Sequence, residues 1–214
     1  MNNQNVYLHK IATVVPENCY DQQFVLNYLL KLQGTTSKKQ SFLKRIYQNS
    51  GIDKRYTVIP DYDKKPEEHI FFPKNVELEP EPTTRERNAF FVKEANRLSY
   101  QAVEDLLNQN EQFDQKKITH LITVSCTGFS APGFDYYLIK EIDLNPSIQR
   151  FHIGFMGCFG AFPALRLAQH ICRSEPTARV LMVNVELCSL HFQKNLNWIQ
   201  SLPRHYLLMV SVRL

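Results

Sequence analysis

Residues 153–172 read IGFMGCFGAFPALRLAQHIC, and this stretch decides how the rest of the chain is read. Its start continues the apolar run Phe151 to Met156, which reads as a strand. Its end, Phe159 to Cys172, repeats apolar residues at helical spacing. Between them stand Gly157, Cys158 and Gly160, so a cysteine occupies the turn from strand to helix. Working outward, Lys117 to Cys126 (KITHLITVSC) reads as a buried strand, Arg179 to Glu186 (RVLMVNVE) as a further strand, and Asp135 to Ile142 as a short helix. Strand, helix, strand, helix, strand in that order implies a parallel sheet of α/β type, because parallel neighbours need crossover connections.

Farther from this centre the pattern changes. Thr83 and Glu86 have the spacing of a capping box and open a helix running to about Leu107. Phe91, Ala95, Leu98, Ala102 and Leu106 lie on one face of it. Residues 58–83 hold Pro60, Pro66, Pro73, Pro80 and Pro82, five of the eleven prolines, which block both helix and central strand and predict an irregular excursion. Before it, Val6 to Pro16 reads as a strand, and Asp21 to Leu32 and Ser37 to Gln48 as helices, the first with Asn18 or Asp21 as its cap.

Composition bounds the function. The 214 residues are 43% hydrophobic and 21% charged, values of an ordinary globular chain. A net charge of +4 is too small to argue for nucleic acid. The N-terminus shows no basic segment followed by an apolar core, so no secretory signal is visible. The longest stretch without a charged residue, Ile118 to Phe134, is too polar to span a membrane. A cytoplasmic protein with reduced thiols is therefore expected. Cysteines at 19, 126, 158, 172 and 188 form no CxxC pair, which argues against a disulfide scaffold or a zinc site.

Cys158 is the leading candidate for chemistry. A thiol at a helix N-terminus meets the positive end of the helix dipole and free backbone N–H groups, both of which favour the thiolate. Gly157 and Gly160 would allow a sharp turn and the close approach of a substrate. The alternative is a small packed cysteine. His152, His170 and His191 are not drafted as partners, because nearness in sequence does not bring a base within hydrogen-bond reach.

Three ordered strings carry a resemblance: VSCTGFSAPGFDYYL (124–138), GCFGAFPALRLA (157–168) and ARVLMVNVELCSLHF (178–192), with RIYQNSGIDKRY (45–56) ahead of them. Together they resemble the N-terminal half of the type III polyketide synthases, the chalcone and stilbene synthase family with the thiolase-like αβαβα layered fold. The resemblance covers about residues 1–195, which form one thiolase-fold half. Ketoacyl-carrier-protein synthase III shares that fold, but the Gly-Cys-Phe-Gly context here favours the polyketide branch. The resemblance implies that Cys158 takes an acyl group from acyl-CoA. Decarboxylative condensation with malonyl-CoA then extends it, giving alkylpyrone or alkylresorcinol products. It implies no cofactor and no metal, only CoA thioesters as substrates, and a homodimer. Arg45 matches a contact to the CoA phosphates, although Phe42 and Asn49 replace two neighbouring basic positions and a solvated helix face is the alternative. Cys126, Cys188 and His191 match positions lining the acyl pocket, and Glu186 matches a carboxylate beside it. Cys19 and Cys172 are left to packing. Ser130-Ala131-Pro132-Gly133 matches a loop at the family's dimer interface.

The family's histidine and asparagine, which donate hydrogen bonds to the enolate and the oxyanion, belong to its C-terminal half. A chain without them is expected to be inactive or impaired. The other readings are a non-catalytic fragment or pseudogene product, and a ketoacyl synthase III-like condensing enzyme. Residues 196–214 read as a frameshifted tail. One frame over, the codons of Asn197, Trp198 and Ile199 must give Leu-Asp. His205-Tyr206 must give Leu and Met209-Val210 Gly, as in the family's Leu-Phe-Ala/Gly-Asp-Gly. DNA across Leu196 and Asn197 tests this.

Overall fold

The computed structural model describes residues 5–32, 36–109 and 114–194, which divide into two compact units. The first unit comprises residues 5–14, 88–109 and 114–187 of these. At its centre lies a parallel sheet of β3 (His120–Ser125), β4 (Gln149–Gly154) and β5 (Val180–Asn184), in the order β4-β3-β5. Register runs His120 to Gln149 on one side and His120 to Val180 on the other. The middle strand is buried at all six positions, its polar His120, Thr123 and Ser125 included. Helix α5 (Ala161–Ser174) lays Ala164 and Ile171 against Ile122 and Val124, and Phe151, Ile153, Leu167 and Met182 complete that core. Helix α4 (Phe134–Glu141) buries Phe134 and Leu138.

The second unit comprises residues 15–32, 36–87 and 188–194. A two-stranded antiparallel ladder joins β1 (Asn18–Asp21) to β2 (Lys54–Thr57). Helices α1 (Gln22–Lys31) and α2 (Ser37–Gln48) bury Leu26, Leu29, Leu43 and Tyr47. Asp21 is the N-cap of α1 by position, yet its side chain makes no capping bond. Helix α3 (Thr84–Asn108) starts in this unit and continues into the first. Its capping box is formed: Glu86 N donates to Thr83 Oγ1 at 3.3 Å, and Thr83 N donates to Glu86 Oε2 at 2.7 Å. The Thr83 bonds hold the Glu86 carboxyl below its ordinary range.

The excursion at 58–83 is irregular, apart from one 3-10 turn at Pro66–Glu68, but it is ordered by polar contacts. Asp61, 1% exposed, accepts the backbone N–H groups of Ile70 (2.9 Å), Phe71 (2.7 Å) and Phe72 (2.7 Å). Arg87 is also buried, and its Nη1 donates to the carbonyls of Leu190 (2.5 Å) and Phe192 (2.7 Å). Burial lowers the pKa of that guanidinium from its ordinary value. The ring of Tyr62 meets Tyr20, Tyr28, Phe72 and Phe192 edge-on.

One expected strand is absent. Residues 5–16 form no strand, and Tyr7, Leu8 and Ile11 are exposed. Loose alternation there has no ladder among the described residues to join, and β1 begins only at Asn18. Cys19 is a second correction: the pleat of β1 turns Tyr20 inward and leaves Cys19 exposed, so it does not pack. The tail from Leu196 lies outside the described residues.

Candidate active site at the Cys158 turn

The link from β4 to α5 is built from strained backbone between two rigid elements. Phe155 adopts φ 56° and Gly157 φ 60°, both in the left-handed region. For glycine this costs little, whereas a bulky aromatic there is uncommon and strained by about 1–3 kcal/mol. Phe155 is 87% exposed, so burial of its ring does not offset that strain. Cys158 follows inside a 3-10 turn, Gly157–Phe159, and is exposed. Helix α5 begins only at Ala161. The thiol therefore stands just ahead of the helix rather than in its first turn.

The two glycines serve different ends. Gly157 supplies the left-handed turn and has open space where a Cβ would be. Gly160 has an ordinary φ of −52°, but a Cβ there would lie 2.8 Å from Val124 Cγ1. Its missing side chain lets the start of α5 touch β3, so this close approach is to the protein's own core rather than to a substrate. Gly160 N also donates to Gly157 O at 3.0 Å, closing the turn.

Cys126 lies against the same turn. Met156 N donates to Cys126 Sγ at 3.1 Å, and the Cys126 thiol donates to Gly157 O at 3.6 Å. Glu186 holds Cys126 in turn: Cys126 N donates to its Oε1 (2.9 Å) and Oε2 (3.2 Å), and Thr127 Oγ1 donates to Oε2 at 2.8 Å. Leu187 N donates to Thr127 Oγ1 at 2.9 Å. Around Cys158 the surface is apolar, with Met156, Phe159, Phe162 and Leu165 exposed and the Phe159 and Phe162 rings stacked at 5.5 Å.

Among the residues singled out from sequence, the structure brings Cys126, Glu186 and the Cys158 turn together in the first unit. Arg45, Cys188 and His191 belong to the second unit. Arg45 is exposed on α2, with its carbonyl accepting Asn49 Nδ2 at 2.7 Å. Cys188 and His191 bound one 3-10 turn, in which Ser189 Oγ accepts Thr57 Oγ1–H at 2.7 Å. His152 Nδ1 lies 2.9 Å from Thr123 Oγ1, and His170 is exposed on α5. Burial and the Glu175 charge push the Cys172 thiol up, which suits a packed residue. Sequence reasoning missed Asp61 and Arg87 as organisers, since nothing in the local pattern separates them from surface charges. Among the described residues, no three His, Cys, Asp or Glu gather to hold a metal ion, and no helix is long and apolar enough to cross a membrane.

Comparison with known proteins gives a consistent neighbourhood. The family described as chalcone and stilbene synthases, N-terminal domain, matches residues 2–201. The structure is similar to the C-terminal type III polyketide synthase domain of Steely1, a type I/III hybrid from Dictyostelium, with TM-score 0.74 and 28% identity. It is similar to PKS-I of the brown alga Ectocarpus siliculosus, with TM-score 0.74 and 30% identity. It also resembles the 1,3,6,8-tetrahydroxynaphthalene synthase of Streptomyces coelicolor A3(2), a bacterial type III polyketide synthase, with TM-score 0.72 and 26% identity. These matches cover 86%, 88% and 86% of this chain, but 48%, 51% and 48% of those chains. The chain thus spans about half the length of the structures it matches.

Proposed function

The chain belongs to the chalcone and stilbene synthase family through its N-terminal domain, and from that premise we propose that Cys158 is an acyl acceptor for CoA thioesters. The family is one of type III polyketide synthases, and its enzyme class is that of condensing acyltransferases. The observation that carries the reading is an exposed thiol on a left-handed turn between strand β4 and the start of helix α5. The Cys158 sulfur attacks the thioester carbonyl carbon. A bond forms from that carbon to Sγ, the bond to the CoA sulfur breaks, and CoA leaves as the thiol. The exposed apolar side chains beside Cys158 suit a long acyl chain.

Condensation is the second half-reaction. Malonyl-CoA loses carbon dioxide, the freed electron pair forms a carbon–carbon bond to the acyl carbon, and the Cys158 thiolate departs. The resemblance assigns the histidine and asparagine for this step to the other half of the fold. We therefore expect these 214 residues to accept an acyl group without making pyrone or resorcinol. Arg45 is our candidate for the CoA phosphates, and Cys126, Cys188 and His191 for the acyl pocket. A homodimer in the cytoplasm is part of the same reading.

The test is incubation with a long-chain acyl-CoA, with and without malonyl-CoA, followed by peptide mass mapping. An acyl adduct on the Cys158 peptide, absent in Cys158→Ala, is the expected result. Labelling that persists in Cys158→Ala overturns the nucleophile. Abundant pyrone from the pure 214-residue chain overturns the division of labour between the halves.

A further inference from the structure

The Cys158 turn lacks an evident source of order in its own side chains. Phe155 holds a left-handed conformation while almost fully exposed, Met156 is half-exposed, and Gly157 has no side chain. Strained backbone persists only where its surroundings determine it. Here the surroundings reduce to a small set of bonds, and two of them meet at one sulfur. Met156 N donates to Cys126 Sγ, and the same thiol donates to Gly157 O. The Cys126 side chain therefore bridges the Phe155–Met156 and Gly157–Cys158 peptide groups, as acceptor from the first and donor to the second, across the bend that leads into Cys158. Such a bridge needs a side chain that is both donor and acceptor. An alanine or valine offers neither.

Cys126 is itself fixed. It follows the fully buried strand β3, and both Glu186 oxygens accept its backbone N–H. Thr127 ties the same carboxylate to the backbone of Leu187, just beyond β5. Order thus runs from the ends of β3 and β5, through Glu186 and Cys126, into the turn that presents Cys158.

We propose that Cys126 is a positioning residue whose thiol clamps the peptide groups of Met156 and Gly157 and so aims Cys158. This goes beyond lining an acyl pocket, which only requires bulk, and it rests on the reading of Cys158 as the acyl acceptor. The clamp separates two kinds of reactivity at Cys158. Acyl transfer from a CoA thioester demands an aimed sulfur. Alkylation by iodoacetamide demands only an accessible one.

The experiment compares wild type with Cys126→Ser, Cys126→Val and Cys126→Ala. Amide hydrogen exchange is read at Met156, and acylation and alkylation are read at Cys158 by peptide mapping. Loss of the bond in the Val variant is expected to speed Met156 exchange by roughly threefold to tenfold, up to the scale of one ordinary hydrogen bond because sulfur is a weak acceptor. Acylation by acyl-CoA falls by a similar factor, iodoacetamide alkylation changes less than about twofold, and Ser restores most of both lost properties. Should the Val variant fail to fold, Ala removes the same two bonds without adding bulk and gives the same reading. Unchanged Met156 exchange in Val and Ala, or a Ser variant no better than Ala, overturns the clamp. If wild type shows no acylation, the acyl-acceptor reading falls on its own, and Met156 exchange still decides the clamp.

Discussion

The loop around Asp61 and the turn around Cys158 are both irregular backbone, and they are held by opposite means. In the loop, a carboxylate 1% exposed takes three backbone N–H groups, and the aromatic rings of Tyr62 and Phe72 pack beside it. Charge sits inside and order comes from satisfying it. In the turn, the thiol and the aromatic side chains face outward, while two residues adopt left-handed backbone between β4 and α5. Order there is imported from rigid neighbours. The difference separates a region built to stay closed from one built to present a reactive group. A loop held by a buried charge cannot offer that charge to a ligand without collapsing. A turn held at its ends can expose its central side chain.

Breaking the loop should produce the largest effect. Asp61→Ala leaves three backbone N–H groups without their acceptor, the Phe72 one buried and two partly buried, and a cost of about 3 kcal/mol is expected. Urea unfolding measures it. Asp61→Asn keeps a carbonyl oxygen and should cost less. An Ala variant as stable as wild type would show that the loop is held by its aromatic packing instead.

Within the first unit, the tightest contact is Gly128. A Cβ there would overlap three carbons of the Phe91 ring, which is 2% exposed and has little room to move. Gly128→Ala should cost about 2–3 kcal/mol, the range for forcing atoms into a packed core. Combining it with Phe91→Leu tests the mechanism: the second change should cost less in the Gly128→Ala background than in wild type. Additive losses would place the strain elsewhere.

The two regions also differed in legibility. Around Cys158 the sequence carries period and punctuation: apolar runs for β3, β4 and β5, helical spacing for α5, and glycines between. These depend on neighbours in the chain, and the elements fall within a few residues of expectation. The Thr83–Glu86 box is legible for the same reason. Around Asp61 the prolines predict irregularity but not its organiser. Asp61 serves residues 70–72, and Arg87 reaches Leu190 and Phe192, more than a hundred positions away. No periodicity marks an acid or a base that will be buried. Residues 5–16 failed in the other direction, because alternation exists there without a ladder. The Cys126–Met156 bond was likewise invisible, since only the fold brings the two together.

A pH titration probes the second unit as a whole. Burial, with the Asp61 charge added, pushes Tyr28 up to about 12, and burial raises the Tyr62 phenol as well. In the unfolded chain these phenols titrate near 10. A raised folded pKa contributes stability that is complete below the unfolded value and is lost as pH rises toward the folded one. Stability should therefore decline between about pH 10 and 12. The tyrosinate absorbance of Tyr28 and Tyr62 should appear late and together with unfolding. Early, reversible appearance of all tyrosinate signal in a folded chain would contradict the buried cluster.

The smallest effects belong to the turn itself, and they have opposite signs. Gly157 has φ 60° with nothing within 4 Å of the place a methyl group would occupy, so Gly157→Ala meets strain alone, about 1 kcal/mol. Phe155 has nearly the same φ but carries that strain already, and its ring is 87% exposed. Phe155→Gly should therefore relieve strain at little packing cost and leave stability unchanged or up to about 1 kcal/mol higher, despite the added freedom of the unfolded chain. Thermal unfolding of the two variants side by side reads the signs. A destabilised Phe155→Gly would mean that the exposed ring contributes contacts that hold the turn. The turn would then resemble the Asp61 loop in being held by its own side chains, and the contrast between the two regions would shrink accordingly.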